Sequence, residues 1–160
     1  MTEITHNLFV GDDSDCASGL FSHIIHACKT CHQTALSYRD SLQSTHPNYL
    51  IYETESDLYL NMVDMERELL PLYTNPIMFA AMNFLDKYTK EHKILVHCNQ
   101  GFSRSPSIVL LYCARKKIIP STSYHDALKQ FIELFPQYNP GRGIALYMEH
   151  NFQNLVEGTQ

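Results

Sequence analysis

Residues 94–114, ILVHCNQGFSRSPSIVLLYCA, contain a short apolar run, a polar loop and a second apolar segment. Ile94 to Val96 is typical of a fully buried strand. From Ser105 the pattern favours a helix, because Pro106 suits a first-turn position and the residues after it are apolar on nearly every face. This order predicts a strand, a tight loop and a buried helix, with the loop ending at the helix N-terminus.

The loop has the composition of a phosphate-binding site. A short loop entering a helix can direct successive backbone N–H groups toward one point, where the helix N-terminus adds partial positive charge. Gly101 allows a backbone angle that a side chain would penalise. Arg104 can bind two phosphate oxygens with its planar guanidinium. The predicted phosphate-binding residues are Asn99, Gln100, Gly101, Phe102, Ser103 and Arg104.

Cys98 begins this loop, so its sulfur is expected at the bottom of the same positively charged concavity. Such an environment favours the thiolate, which is the nucleophilic form of cysteine. Cys98 is therefore predicted to attack phosphorus and form a thiophosphoryl intermediate. Ser105 can donate a hydrogen bond to the sulfur and ease its departure, and His97 is expected to pack beneath the loop and order it.

The segment HCNQGFSRS, from His97 to Ser105, matches the pattern HC-x2-G-x-SRS at every fixed position. The chain here resembles the cysteine-dependent protein phosphatases, and among them the small, atypical dual-specificity phosphatases. The similarity extends to residues 4–11, 22–27, 58–64 and 127–143. It implies a protein phosphatase that hydrolyses phosphotyrosine and phosphoserine or phosphothreonine through a cysteinyl-phosphate, without a metal or other cofactor.

The family also implies a general acid and a residue that supports the loop. Asp64 is the candidate acid, because it follows a strand-like segment and precedes Cys98 by 34 residues. Asp57, Glu66 and Glu68 are its competitors. Relatives often carry Pro-Asn near the C-terminus, whereas this chain has the order Asn139, Pro140; Asn139 is the candidate loop support.

Strand-like and helical segments alternate along the chain. This alternation predicts an α/β fold, in which a mostly parallel central sheet of about five strands is flanked by helices. We expect residues 1–160 to form one domain, because no repeat or linker is visible. The predicted strands are 4–10, 23–27, 49–52, 58–62 and 94–97, and the predicted helices are 33–43, 76–87, 105–117, 124–135 and 144–156.

The composition restricts partners and location. The net charge is −5, and no long basic block is present, so neither nucleic acid nor an anionic membrane is favoured as a partner. A phosphorylated protein is the expected substrate. The N-terminus lacks the pattern of a signal peptide, and five cysteines form an odd number, so reduced thiols and a cytoplasmic protein, with the nucleus left open, are expected.

Cys28 to His32, CKTCH, has the form of a haem attachment motif. Attachment of that kind needs export, and one Cys-x2-Cys pair without a second ligand pair rarely forms a zinc site, so no metal is expected. If residues 22–27 lie beside the strand that precedes Cys98, Cys28 reaches the same edge of the sheet. Cys28 is therefore a candidate redox partner that forms a disulfide with Cys98.

Other functions remain open on sequence grounds. RNA 5′-triphosphatases of similar sequence also carry Gly-Phe in the loop, although the acidic composition and Asp64 disfavour this reading. Phosphoinositide phosphatases tend to have lysines in the loop, where this chain has uncharged residues. A phosphate-recognising module without catalysis is disfavoured by intact Cys98, Arg104 and Ser105.

Overall fold

The computed structural model describes residues 1–159, which form six strands and six helices. The strands are β1 (Thr2–Thr5), β2 (Leu8–Gly11), β3 (His23–His26), β4 (Ile51–Glu53), β5 (Asp57–Leu60) and β6 (Ile94–His97). The helices are α1 (Asp13–Cys16), α2 (Lys29–Leu36), α3 (Pro71–Tyr88), α4 (Arg104–Arg115), α5 (Tyr124–Leu134) and α6 (Arg142–Glu157).

The strands form one sheet in the order β1-β2-β6-β3-β5-β4. The four inner strands are parallel to one another, and the two edge strands pair antiparallel with their neighbours. This arrangement confirms the predicted α/β fold with a mostly parallel sheet. β6 lies between β2 and β3, and all four of its residues are buried. The carboxyl end of β6 therefore opens at the middle of the sheet edge.

The N-terminal segment corrects one prediction. Residues 4–10 were expected to form a single strand, but β1 and β2 form an antiparallel hairpin. Asn7 turns the chain with a φ of 67°, a left-handed angle that asparagine tolerates better than most residues. The sheet consequently has six strands among the described residues, rather than about five.

Two helices begin four or five residues earlier than predicted. α2 starts at Lys29 instead of residue 33 and ends at Leu36, because Ser37 takes a left-handed conformation with φ of 58°. α3 starts at Pro71, which fills the first-turn position predicted for Pro76; Pro76 lies inside the helix. α5 is close to its prediction and is capped by Ser123, which accepts a hydrogen bond from the backbone of Asp126.

α4 is the central helix of the fold. Every residue from Arg104 to Ala114 is buried, and the helix packs against β2, β6, α3, α5 and α6. Contacts on so many sides explain why its sequence is apolar on nearly every face. The loop between β6 and α4 is thus anchored to the most buried strand and the most buried helix. Among residues 1–159, no helix is both long and apolar enough to cross a membrane.

Candidate active site

The loop from Cys98 to Ser103 joins β6 to α4, as predicted. Gly101 has a φ of 81°, in the left-handed region that favours glycine. A Cβ atom at this position would also lie 3.0 Å from the carbonyl oxygen of Gly11. The predicted need for glycine is therefore confirmed, and the close approach of β2 is a second reason for it.

Cys98 is 2% exposed and lies at the start of the loop. Its Sγ atom is 3.2 Å from the Oγ atom of Ser105, which also lies 3.4 Å from the carbonyl oxygen of Gly11. The single hydroxyl proton of Ser105 can be donated to only one of these two acceptors at a time. When the sulfur is a thiol it can itself donate to Ser105, whereas a thiolate draws the hydroxyl proton toward the sulfur.

Arg104 is 8% exposed, and its guanidinium is held on three sides. Nε donates to Asp64 at 3.2 Å, Nη1 to the carbonyl of Met62 at 3.1 Å, and Nη2 to the side-chain oxygen of Asn99 at 2.8 Å. The Asn99 amide nitrogen donates in turn to Asp13 and Thr30. Asn99 thus orients Arg104 with its side chain, a role that the sequence did not suggest.

Asp64 lies over the loop, where its carboxylate accepts hydrogen bonds from Ser103 Oγ at 2.8 Å and from Arg104. The Asp64 side chain is 38% exposed, so it can meet a substrate from solvent.

The competing carboxylates lie elsewhere. Asp57 pairs with His26 and Glu68 with His150, and the Glu66 carboxylate makes no hydrogen bond or ion pair within residues 1–159. Of the four candidates, only Asp64 contacts the loop through its side chain.

A cavity of about 340 Å³ opens above Cys98. Exposed Phe102 stands at its rim, and Asn139 lines it from the segment before α6. Asn139, the predicted loop support, contacts the loop through its backbone N–H, which donates to the carbonyl of Phe102 at 2.8 Å, while Gly141 N donates to Ser103 Oγ at 2.9 Å. The cavity is lined by Asp64, Cys98, Asn99, Gln100, Phe102, Ser103, Arg104, Asn139 and Gly141.

The solved structures that match this arrangement of strands and helices include phosphatases and a phosphatase-like protein. The DUSP15 structure matches with a TM-score of 0.67 at 21% identity, and the match covers 98% of this chain and 90% of that chain. The chain has the fold of the dual-specificity phosphatases. Neither a protein-family model nor a curated protein sequence matches it.

Two further matches with this fold are similarly complete. The Yvh1 phosphatase domain from Chaetomium thermophilum has a TM-score of 0.63 at 17% identity, covering 98% of this chain and 96% of that chain. The human tyrosine phosphatase-like serine/threonine/tyrosine-interacting protein has a TM-score of 0.59 at 21% identity, covering 98% and 93% respectively. The dual-specificity phosphatase fold is thus shared with a protein described as phosphatase-like, so activity must be argued from the site.

A chain of buried hydroxyls supports the loop of this phosphatase fold from below. Ser107 Oγ lies 2.7 Å from the carbonyl of Ser103 and 2.7 Å from the hydroxyl of Tyr138, which is 2.9 Å from the hydroxyl of Tyr124. Burial raises the pKa of Tyr138 well above its usual value, so its hydroxyl stays protonated. The spacing of these residues along the sequence did not indicate that their hydroxyls are linked, because the residues come from α4, α5 and the turn after α5.

A second polar cluster lies behind the loop. His97 Nε2 is 2.8 Å from His26 Nδ1, and burial, followed by the charge of His26, lowers the pKa of His97 to about 4. Cys16 Sγ is 3.6 Å from His26 Nδ1, and Cys31 Sγ is 3.9 Å from His97 Nε2. The expected position of His97 beneath the loop is therefore observed, in company with residues that the sequence did not connect to it.

Cys28 is buried at the start of α2. A hydrogen bond from Cys31, opposed by burial, lowers the pKa of Cys28 to about 7. β3 and β6 are adjacent, with His26 paired to His97, so Cys28 and Cys98 both follow the carboxyl ends of neighbouring strands. This neighbourhood is the one on which the predicted redox pairing depends.

Proposed function

We propose that the protein is a phosphatase that hydrolyses phosphotyrosine and phosphoserine or phosphothreonine in proteins through a cysteinyl-phosphate. The observation that carries this proposal is the position of Cys98. Its sulfur lies at the floor of a cavity, 3.2 Å from the Ser105 hydroxyl, at the N-terminus of the central helix and within the loop that ends at Arg104.

In the first step, the Cys98 thiolate attacks phosphorus in line with the ester oxygen. The S–P bond forms and the P–O bond breaks, and Asp64 gives its proton to the departing alkoxide or phenoxide. Arg104 and the backbone N–H groups of the loop stabilise the charge on the equatorial oxygens. Three of the five N–H donors of Arg104 are already engaged within the protein, so the guanidinium is held in place before substrate arrives.

In the second step, water attacks the phosphorus of the intermediate. The Asp64 carboxylate takes a proton from that water, a new P–O bond forms and the S–P bond breaks. Ser105 donates its hydroxyl proton as a hydrogen bond to the departing thiolate, so that its bond to Gly11 is replaced by one to Cys98. The products are inorganic phosphate and the original thiolate, so the cycle consumes only water.

The substrate class rests on the width of the site. The cavity is open to solvent beside Phe102, which is 46% exposed, and Asn139, which is also exposed. Because the cavity is open at this side, it can accept a protein segment that carries either a long aromatic phosphoester or a short aliphatic one. The net charge of −5 disfavours RNA as the substrate.

The test is hydrolysis of an activated aryl phosphate by the reduced full-length protein, with wild type and Cys98→Ser compared side by side. We expect turnover by wild type and none by Cys98→Ser, with binding of the phosphate ester retained. Rates on phosphotyrosine and phosphothreonine peptides then measure the breadth of specificity. Turnover by the Cys98→Ser variant at a rate comparable to that of wild type would contradict the covalent scheme.

The two alternatives give different outcomes in the same experiment. A non-catalytic module binds phosphopeptides but releases no phosphate from any substrate. An RNA 5′-triphosphatase releases phosphate from 5′-triphosphate RNA and spares the peptides.

A further inference from the structure

Four side chains behind the phosphate loop converge on one point. Their nitrogen and sulfur atoms all lie within 4.8 Å of one another, and the two histidines are buried while the two cysteines are partly exposed. The cluster joins α1, β3, α2 and β6 and consists of Cys16, His26, Cys31 and His97.

An aspartate carboxylate lies beside the ring nitrogen of each histidine that faces away from the cluster. His26 Nε2 lies 2.8 Å from an oxygen of Asp57, so a proton belongs on Nε2 and the lone pair of Nδ1 points into the cluster. His97 Nδ1 lies 3.5 Å from an oxygen of Asp13, and a proton on Nδ1 leaves the lone pair of His97 Nε2 pointing inward.

This assignment brings two lone pairs within 2.8 Å of each other. The alternative, a proton on His97 Nε2, leaves the His97 Nδ1 lone pair facing the Asp13 carboxylate. His97 is fully buried, and its Nδ1 makes no hydrogen bond within residues 1–159. The neutral arrangements leave either two facing lone pairs, with only the thiols of Cys16 and Cys31 as donors beside them, or an unpaired His97 Nδ1, whereas a cation between the inward nitrogens accepts both lone pairs.

We propose that one Zn²⁺ ion binds behind the phosphate loop, held by the Sγ atoms of Cys16 and Cys31, by His26 Nδ1 and by His97 Nε2. Two thiolates and two imidazoles are a donor set that zinc prefers, in a tetrahedral site with no open position. Asp57 and Asp13 then act as outer-shell carboxylates that fix the ring orientations of the two histidines.

The spacing of the donor atoms fits this ion. Tetrahedral bonds of about 2.3 Å to sulfur and 2.0–2.1 Å to nitrogen require roughly 3.6 Å between a sulfur and a nitrogen and roughly 3.3 Å between two nitrogens. Two of the four sulfur to nitrogen distances, from Cys16 to His26 and from Cys31 to His97, are 3.6 and 3.9 Å, and the two nitrogens are 2.8 Å apart. The remaining pairs lie within 4.8 Å, so the imidazoles must separate by about half an ångström and the other donors close in for a tetrahedral site.

A second donor set overlaps the first, since Asp13 and Cys28 also lie within 4.8 Å of the donor atoms of Cys31 and His97. It pairs a carboxylate of an exposed residue with only one histidine, and it leaves the inward lone pair of His26 unsatisfied. The set that contains Cys16 satisfies both histidines. Cys16 and Cys28 therefore distinguish the two sets by mutation.

The test is titration of the reduced, metal-free full-length protein with Co²⁺, followed by displacement with Zn²⁺. We expect one Co²⁺ per chain, with the visible bands of tetrahedral cobalt and thiolate charge-transfer absorption, and complete displacement by one Zn²⁺. Cys16→Ser should weaken binding by more than the roughly 10–100-fold typical of outer-shell mutations, and Asp57→Asn should weaken it within that range.

Cys28→Ser is the matched control, because it also removes one thiol from this region and serine can keep the hydrogen bond to Cys31; the affinity should fall far less than in Cys16→Ser, and the tetrahedral bands should remain. Cys98→Ser, which is outside the donor set, should leave the affinity and spectrum unchanged. Cys16 is partly exposed on a short helix, so its serine variant is expected to fold, and circular dichroism verifies this. Absence of stoichiometric binding by wild type, or loss of binding in Cys28→Ser or Cys98→Ser with retention in Cys16→Ser, would overturn the proposal.

Discussion

The Nε atom of Arg104 lies 3.2 Å from the Oδ2 atom of Asp64, so the residue expected to bind phosphate is paired with the residue expected to act as the acid. Ser103 also donates to this carboxylate. A dianionic phosphate competes for the same donors, because its oxygens and the carboxylate are both acceptors. Substrate binding is therefore expected to release Asp64 from Arg104 and free it to face the leaving group.

Asp64→Asn separates proton donation from binding. Asparagine keeps an oxygen that can accept from Ser103 but has no proton to transfer as an acid. We expect kcat to fall by about 10²–10³ on alkyl phosphoesters, whose leaving groups need a proton, and much less on an activated aryl phosphate. Steady-state kinetics with the two substrate types measure this difference.

Glu66→Gln is the matched control for Asp64→Asn. Glu66 is an exposed carboxylate two residues further along the same segment, and it has no side-chain partner among residues 1–159. Its substitution should change neither rate by a measurable factor. Equal losses on both substrates in Asp64→Asn would mean that another group supplies the proton.

Ser105→Ala tests the hydrogen bond to the departing sulfur. A hydrogen bond to a charged group contributes roughly 1.5–3 kcal/mol, which corresponds to about 10–100-fold in rate. Because this bond matters most when the thiolate leaves, we expect slower breakdown of the cysteinyl-phosphate. Rapid-mixing experiments should show a larger burst of leaving group followed by a slower steady state. Loss of the burst together with slower steady-state turnover would assign Ser105 to the first step instead.

Comparison of Gly101→Ala with Gly19→Ala separates the cost of backbone strain from the cost of a steric clash. Both glycines have positive φ, at 81° and 73°, so alanine costs roughly 1–2 kcal/mol of backbone strain at either position. A Cβ at residue 19 meets no atom within 4 Å, whereas one at residue 101 lies 3.0 Å from the carbonyl of Gly11. Urea unfolding should show a larger loss of stability for Gly101→Ala. Equal losses would show that the backbone of β2 at Gly11 can move away from the new Cβ without a measurable cost in free energy.

Cys28→Ser tests the predicted disulfide. Peroxide oxidises the Cys98 thiolate to a sulfenic acid, and attack by the Cys28 thiol forms the disulfide and releases water. We expect wild-type activity lost to peroxide to return fully with dithiothreitol, and Cys28→Ser to recover less because its sulfenic acid is oxidised further. Identical inactivation and recovery in both proteins would remove the support for this pairing.

Local patterns predicted the parts of the fold that depend on local interactions. The apolar run at Ile94, the Gly101 turn and the continuous apolar face of α4 each carry their structural meaning within a few residues. The hairpin at Asn7 was missed because its turn contains neither glycine nor proline. The start of α3 was misplaced because Pro71 and Pro76 both suit a first turn, and only packing decides between them.

Some residues of the candidate site are likewise predicted by local sequence, whereas others are brought together only by the tertiary fold. The loop residues are contiguous, so one local pattern predicts them, whereas the acid is predicted only from its separation from Cys98. Asn99 stays a predicted phosphate-binding residue, and its side chain in addition positions Arg104, a contact set by the location of α1. The grouping of Cys16 with His26 depends on the order of strands in the sheet, which spacing along the chain does not encode.

The close approach of Gly101 to Gly11 also offers a criterion for recognising distant homologues. A Cβ at residue 11 would lie 2.9 Å from Leu95 Cδ1 and 2.5 Å from the Asp15 carboxylate, which are ends of side chains that can move, whereas a Cβ at residue 101 would meet the fixed backbone of residue 11. The two positions are 90 residues apart. Position 101 is therefore expected to stay glycine in distant homologues whatever residue stands at position 11, because a side chain there meets backbone that no substitution at position 11 removes.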